Sequence, residues 1–240
     1  MSIDPSFRFS LPPSTEGMIP VTAEEFERIL RGRIAGCLQG SREHRDATWQ
    51  LVRLLGTTGR SGEGLRELEN LLATALDLAE KAEIVLASGQ LMEKHGDFPS
   101  AIQAYRRGIG LEPVQARAWY LLHNNLGYSL NQLGRYDEGE RWCRAAIQID
   151  PERHNAYKNL GVACDGQGRY GEAIHCFIAA VKAEATDPRA LRHLEDLIER
   201  HPGVRTEMPD LDHQLEMCRA AVTAARQVWS AACPPEPGTT

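Results

Sequence analysis

The sequence predicts an all-α protein, a solenoid of stacked helical hairpins ending in a C-terminal capping helix, and three observations lead there. Leucine, alanine, glutamate and arginine, all good helix formers, dominate a 240-residue chain that is only 6% aromatic. Strand-like alternation of apolar and polar residues is absent. Above all, one three-residue turn recurs. Gly96-Asp97-Phe98, Gly134-Arg135-Tyr136 and Gly168-Arg169-Tyr170 follow one another at steps of 38 and 34 residues. Self-similarity at such a period marks units that bury their apolar face only by stacking on a neighbour.

The elements follow in order. Residues 1–20, with four prolines, four serines and no periodicity, read as a flexible N-terminal arm. A repeat domain is expected over 21–206, opened by a leading helix at 21–40 with Thr22 as its N-cap. That helix would cover the open face of a weak first copy at 45–81. There Leu51, Val52, Leu55, Gly59, Gly64, Leu68 and Leu71 lie 37 residues before the next set. The stretch from Gly56 to Gly64 is so rich in glycine that a longer loop is expected.

Three clearer copies occupy 82–119, 120–153 and 154–187. After each turn comes a small residue (Ala101, Gly139, Ala173), then a larger or softer one (Tyr105, Cys143, Phe177), then a small one again (Gly108, Ala146, Ala180). Each turn glycine permits the left-handed conformation that ends one helix before the next begins. Asp137 stands where an N-cap is expected, and Pro99 suits a first helical turn. Pro113 and Pro151 close two copies, whereas the third has Ala185 there and Pro188 three residues later. The 38-residue step adds four residues, close to one helical turn. The segment from about Gln115 to Gln132 should therefore be one helix, a turn longer than its equivalents.

A cap helix follows at 188–201, with Leu191, Leu194 and Ile198 inward and Arg189, Arg192, Glu195, Glu199 and Arg200 outward. An amphipathic helix at 207–233 carries the stripe Leu211, Leu215, Cys218, Val222, Ala225 and Trp229, with Met217 the apolar exception. The expectation is that this stripe packs on the cap. The alternative is that it pairs with a second copy to make a homodimer. Residues 234–240 read as a flexible tail.

With Leu126-Gly127 and Leu160-Gly161 ahead of these turns, the pattern resembles the 34-residue tetratricopeptide repeat. The resemblance implies a right-handed superhelix in which Gly127 and Gly161 sit where two helices touch. It also implies a concave groove lined by first helices, with contacts from Asn124, Asn125, Tyr128, Asn155, Lys158, Asn159, Arg192 and His193. Asn125 and Asn159 share one repeat position. In relatives that bind extended peptides, asparagines there form a ladder along the target backbone, because an amide both donates and accepts. The plainer alternative is a solvated polar face. The carboxylate clamp of some family members is absent, since Leu86 and Gln90 precede Asn125 and Asn155 and Asn159 follow it. The implied function is a protein–protein interaction module, an adaptor or chaperone-like protein that holds an extended segment. The alternatives are a self-assembling scaffold and, third, a regulatory subunit or enzyme with an unrecognised site.

Composition and motifs narrow the classes. A net charge of −6, with no basic run interleaved with aromatics, argues against nucleic acid or an anionic membrane as partner. Residues 1–5 do not open a signal peptide, and no apolar run is long enough to span a membrane, so a cytoplasmic location is expected. HExxH, CxxC and glycine-rich phosphate loops are missing, so no catalytic residue, metal or cofactor is expected and the chain reads as no enzyme. The six cysteines read as small apolar fillers, with Cys143 and Cys164 close across a repeat seam. His175 and Cys176, being adjacent on a helix, diverge by about 100°.

Overall fold

The computed structural model describes residues 22–113 and 115–232; the expected arm at 1–20 and tail at 234–240 lie outside them. Helix α1 (Ala23–Gly36) leads four hairpins. These are α2 (Arg42–Thr57) with α3 (Ser61–Thr74), and α4 (Leu78–Lys94) with α5 (Phe98–Ile109). Next come α6 (Ala116–Gln132) with α7 (Tyr136–Ile149), and α8 (His154–Gly166) with α9 (Tyr170–Ala183). Then follow α10 (Arg189–Arg200), the single turn α11 (Val204–Glu207) and α12 (Leu211–Ala232). From α1 to α10 each helix packs on the next, and α4, α6, α8 and α10 also touch in succession, forming one row. The result is an all-α solenoid.

Each hairpin closes in the same way. Gly59, Gly96, Gly134 and Gly168 have φ of +78°, +76°, +71° and +76°, a region that any Cβ would strain. The residue after each glycine donates its N–H to a carbonyl five residues back: Arg60 to Leu55, Asp97 to Met92, Arg135 to Leu130 and Arg169 to Cys164. That bond satisfies a carbonyl which the helix end would otherwise orphan. Pro99 lies in the first turn of α5, where its missing N–H costs nothing, and Asp97 caps it by accepting from Ser100 N at 3.2 Å. Thr22 and Glu25 form a reciprocal capping box on α1.

Two local expectations are corrected. Asp137 is not an N-cap: α7 begins at Tyr136, directly after the turn, so Arg135 holds that position and Asp137 lies inside the first turn. The stretch from Gly56 to Gly64 is no long loop either. Gly56 belongs to α2 and Gly64 to α3, and a Cβ on either would come 3.0 or 3.1 Å from a Leu91 methyl. These glycines serve close packing of the next hairpin rather than chain reversal.

The four additional residues of the 38-residue step all enter α6, which has 17 residues against 13 in α8. It is no longer than α4, which also has 17.

Within each of the last three hairpins the helices meet at a glycine. A Cβ on Gly89 would lie 2.4 Å from the Tyr105 ring, one on Gly127 2.6 Å from Cys143 Sγ, and one on Gly161 2.5 Å from the Phe177 ring. The seam between hairpins is filled by Leu122, Leu126, Leu130, Leu160, Cys164 and Ile174, all buried. Across it, the Tyr120 hydroxyl accepts from Ala156 N at 3.2 Å, with the Arg153 guanidinium 4.9 Å above the Tyr120 ring.

Both ends of the row are covered. Leu30 of α1 packs on Leu51 and Leu55 of α2. At the other end Leu211, Leu215, Cys218 and Val222 of α12 are buried in one cluster with Phe177, Val181, Leu191 and Leu197. The stripe thus packs on α9 as well as on α10. Further along, Val228 and Trp229 are exposed.

Candidate functional site

The row formed by α4, α6, α8 and α10 carries all eight residues singled out from the sequence. Three of them form a chain of hydrogen bonds across two repeats. Asn159 Nδ2 donates to Asn124 Oδ1 at 3.0 Å, and Asn124 Nδ2 donates to Asn125 Oδ1 at 3.0 Å. Asn131 Nδ2 donates to the Asn159 carbonyl at 2.8 Å, tying the same two helices. Asn124 and Asn159 are buried, and only Asn125 of the three is half-exposed. The geometry therefore separates the two asparagines that share a repeat position. Asn159 turns inward to brace α8 on α6, and Asn125 stands at the surface end of the chain. Burial of such amides is tolerable because each finds a partner.

Beside Asn125 lies a second polar group. Ser129 Oγ donates to Glu93 Oε1 at 2.6 Å, joining α6 to α4. The Tyr105 and Tyr128 hydroxyls share this neighbourhood. Burial, then the Glu93 charge, pushes both phenols above their ordinary pKa. Tyr128 also packs edge-on against Phe98, with centroids 6.1 Å apart.

The α8–α10 end is more basic. Asn155 Oδ1 accepts from Lys158 Nζ at 3.3 Å and from Arg189 Nη2 at 3.4 Å. Lys158 is nearly buried, whereas Arg192 and His193 are exposed on α10. Only the edge of His193 is left to solvent: its ring stacks on Phe177, centroids 5.4 Å apart, and the water lost on that side, then the nearby Lys158 charge, lowers its pKa.

Beneath this end sits a junction that sequence reading missed. Asp187, with its side chain only 6% exposed, meets His154 Nε2 at 2.9 Å and Arg189 Nη2 at 2.6 Å, and accepts from Arg189 N at 3.0 Å. Burial pushes the Asp187 carboxyl up, but the bonds from His154 and Arg189 outweigh it and hold it far below the usual carboxylate range. A depressed folded pKa means stability that is present above the ordinary value of 3.8 and lost as pH falls through and below it. Asp187→Asn should therefore lower the melting temperature at pH 7, with the difference from wild type shrinking towards pH 3. A difference independent of pH would assign the loss to packing rather than charge. Neither the His154–Asp187 contact nor the Glu93–Ser129 bond had a local signature, since their partners lie 33 and 36 residues apart.

Among the described residues no group of three or more His, Cys, Asp or Glu side chains is arranged to hold a metal ion. Among them, too, no helix is long and apolar enough to cross a membrane.

Comparison with known proteins adds to this geometry. Two family models, both described as Tetratricopeptide repeat, match residues 50–113 and 116–184, together more than half of the chain. Tetratricopeptide repeat protein 7B of Homo sapiens is 29% identical over 105 residues, covering 44% of this chain and 12% of that protein. The Small glutamine-rich tetratricopeptide repeat-containing protein 2 of Mycosarcoma maydis is 32% identical over 111 residues, covering 46% of this chain and 30% of that one. The chain thus spans less than a third of the length of these relatives. Among solved structures, MamA (41-end) from Desulfovibrio magneticus RS-1 superposes with a TM-score of 0.55 at 17% identity, covering 78% of this chain and 95% of that one. YrrB, titled a TPR protein with an unusual peptide-binding site, gives 0.54 at 18% identity over 70% of this chain and 83% of its own. At these identities the likeness is one of fold.

Proposed function

The chain belongs to the tetratricopeptide repeat family, and from that premise we propose that it binds an extended segment of a partner protein along the row of α4, α6, α8 and α10. The observation that carries this reading is the amide chain from Asn159 through Asn124 to Asn125. It braces adjacent repeats and holds one amide at the surface, beside Tyr128, where a peptide backbone offers both donors and acceptors. Tyr128 supplies a rigid aromatic flank, and Lys158 and Arg192 make one end of the row cationic. An adaptor or chaperone-like role in the cytoplasm, without nucleic acid or membrane partners, completes the reading; the net charge of −6 supports it. No residue is proposed as catalytic.

The test is a pull-down from native lysate, with mass spectrometry of what remains bound, comparing wild type and Asn125→Ala. One lost hydrogen bond is worth about 0.5–1.5 kcal/mol, so retention of specific partners should weaken about 2- to 12-fold, with some fall in melting temperature because buried Asn124 Nδ2 loses its acceptor. Asn159→Ala should also lower stability, because it strips a buried bond between repeats. Full retention of every partner by Asn125→Ala would leave that residue an ordinary solvated amide.

Self-assembly through α12 is the second reading. The exposed Val228 and Trp229 favour it, but four residues of the stripe are already buried on α9 and α10.

A further inference from the structure

Helix α1 has two faces, and the described chain packs against only one of them. The inner face sets Leu30 on Leu51 and Leu55, and its charges are engaged by the next hairpin. Glu27 pairs with Arg60, and Arg31 pairs with Glu63 at 3.3 Å. The outer face holds Glu25, Ile29, Gly32 and Gly36 at steps of four, three and four, flanked by Phe26 and Arg33. Phe26 is 37% and Ile29 47% exposed, so this face offers apolar surface to solvent. Its glycines also differ from those of the core. A Cβ on Gly32 or Gly36 would meet nothing within 4 Å, whereas one on Gly89, Gly127 or Gly161 would strike the facing helix. A glycine in mid-helix, as Gly32 is, costs about 0.5–1 kcal/mol relative to alanine. No contact among the described residues explains it.

We propose that the outer face of α1 is a self-pairing surface, on which α1 of a second copy lies antiparallel about a two-fold axis through Ile29. Residues equidistant from Ile29 then face one another across the axis. Ile29 meets its own counterpart, the Phe26 ring of each copy enters the space that Gly32 of the other leaves, and Glu25 lies opposite Arg33. Symmetry makes the last two pairings occur twice. The order of charges along the helix selects this direction. Glu24 and Glu25 stand in the first turn of α1 and Arg33 in its last, so an antiparallel copy matches opposite signs. A parallel copy would set Glu25 against Glu25 and Arg33 against Arg33. The bare backbone at Gly32 and Gly36 lets the two axes approach to the short end of the roughly 8–10 Å range of packed helices. A helix of 14 residues per copy buries less than the roughly 1,200 Å² of a stable interface. The pairing is therefore weak, with a Kd on the order of 100 µM, and the chain is monomeric when dilute.

The experiment is sedimentation equilibrium of the intact chain at concentrations spanning about tenfold on either side of that value, with thermal melting of each variant as the check on folding. Wild type should pass from monomer to dimer across the range. Arg33→Glu and Glu25→Arg should each weaken association about 10-fold, because two attractive pairs become repulsive. An equimolar mixture of these two variants should recover it, since every charge contact between unlike chains is again opposite in sign. Gly32→Leu fills the space that receives Phe26 and should abolish pairing, although it adds apolar surface. Stronger association by that variant would mean unspecific adhesion and sink the proposal. A wild type that stays monomeric throughout would sink it too. Association that appears only once residues 1–20 are removed would assign the face to the chain's own N-terminal segment instead. Loss of association in Trp229→Ala but not in Arg33→Glu would move the seam to α12, against the proposal. None of these outcomes depends on whether the row binds a peptide.

Discussion

Gly161→Leu is expected to destabilise the protein by about 3 kcal/mol or more, the upper part of the range for overpacking a close-packed core. The reason is geometric. A Cβ on Gly161 alone would come within 2.5 and 2.6 Å of two Phe177 ring carbons, and Phe177 is 1% exposed. The ring has nowhere to retreat, because Leu160, Ile174, Leu194 and the α12 stripe share its cluster. Either α8 and α9 part or the ring leaves its place, and both open the seam to α10. Gly32→Ala is the matched control, since nothing lies within 4 Å of a Cβ there. Relief of the glycine penalty in a helix should make that change stabilising by about 0.5–1 kcal/mol. Thermal melting by circular dichroism checks both. If Gly161→Leu melted like wild type, the register of the repeats would be wrong, and with it the placement of Asn124, Asn125 and Asn159.

Removal of residues 207–240 should produce the other large effect, a marked loss of thermal stability in a chain that is already monomeric. Leu211, Leu215, Cys218 and Val222 are each 1–4% exposed. Burying a large apolar side chain contributes about 1.5–3 kcal/mol before the cost of ordering the helix is subtracted. Truncation also exposes the faces of α9 and α10 that they cover, an open solenoid end that such proteins do not tolerate well. Leu215→Ala should by itself cost about 2–5 kcal/mol. Met217→Ala, on the exposed face of the same helix, should change stability by no more than about 0.5 kcal/mol. Sedimentation of the intact and truncated chains completes the test. Conversion of a dimer into a stable monomer would establish α12 as a seam between copies instead of a cap.

Much of the architecture was legible in the sequence because its causes are local or recur once per repeat. A glycine that must take positive φ announces itself at Gly59, Gly96, Gly134 and Gly168 whatever surrounds it. The small-residue positions, the four residues added to α6 and the stripe on α12 follow from helical periodicity. What only the tertiary structure decided are features that depend on how one helix is rotated and tilted against another. Asn125 and Asn159 occupy the same repeat position, yet only Asn159 finds an Asn124 on the first helix of the preceding hairpin within hydrogen-bond reach, and so it turns inward. Just before α10, Asp187 gathers His154 and Arg189 from two elements, with His154 lying 33 residues away in sequence. Cys164 was expected to face Cys143 and shares its buried cluster, and the α8–α9 turn sets the Arg169 guanidinium 3.6 Å from Cys164 Sγ as well. A repeat pattern specifies which face of each helix is inward. The partner that a polar or thiol group meets there is chosen by competition among neighbours a few ångströms apart, and no single-chain periodicity encodes that choice.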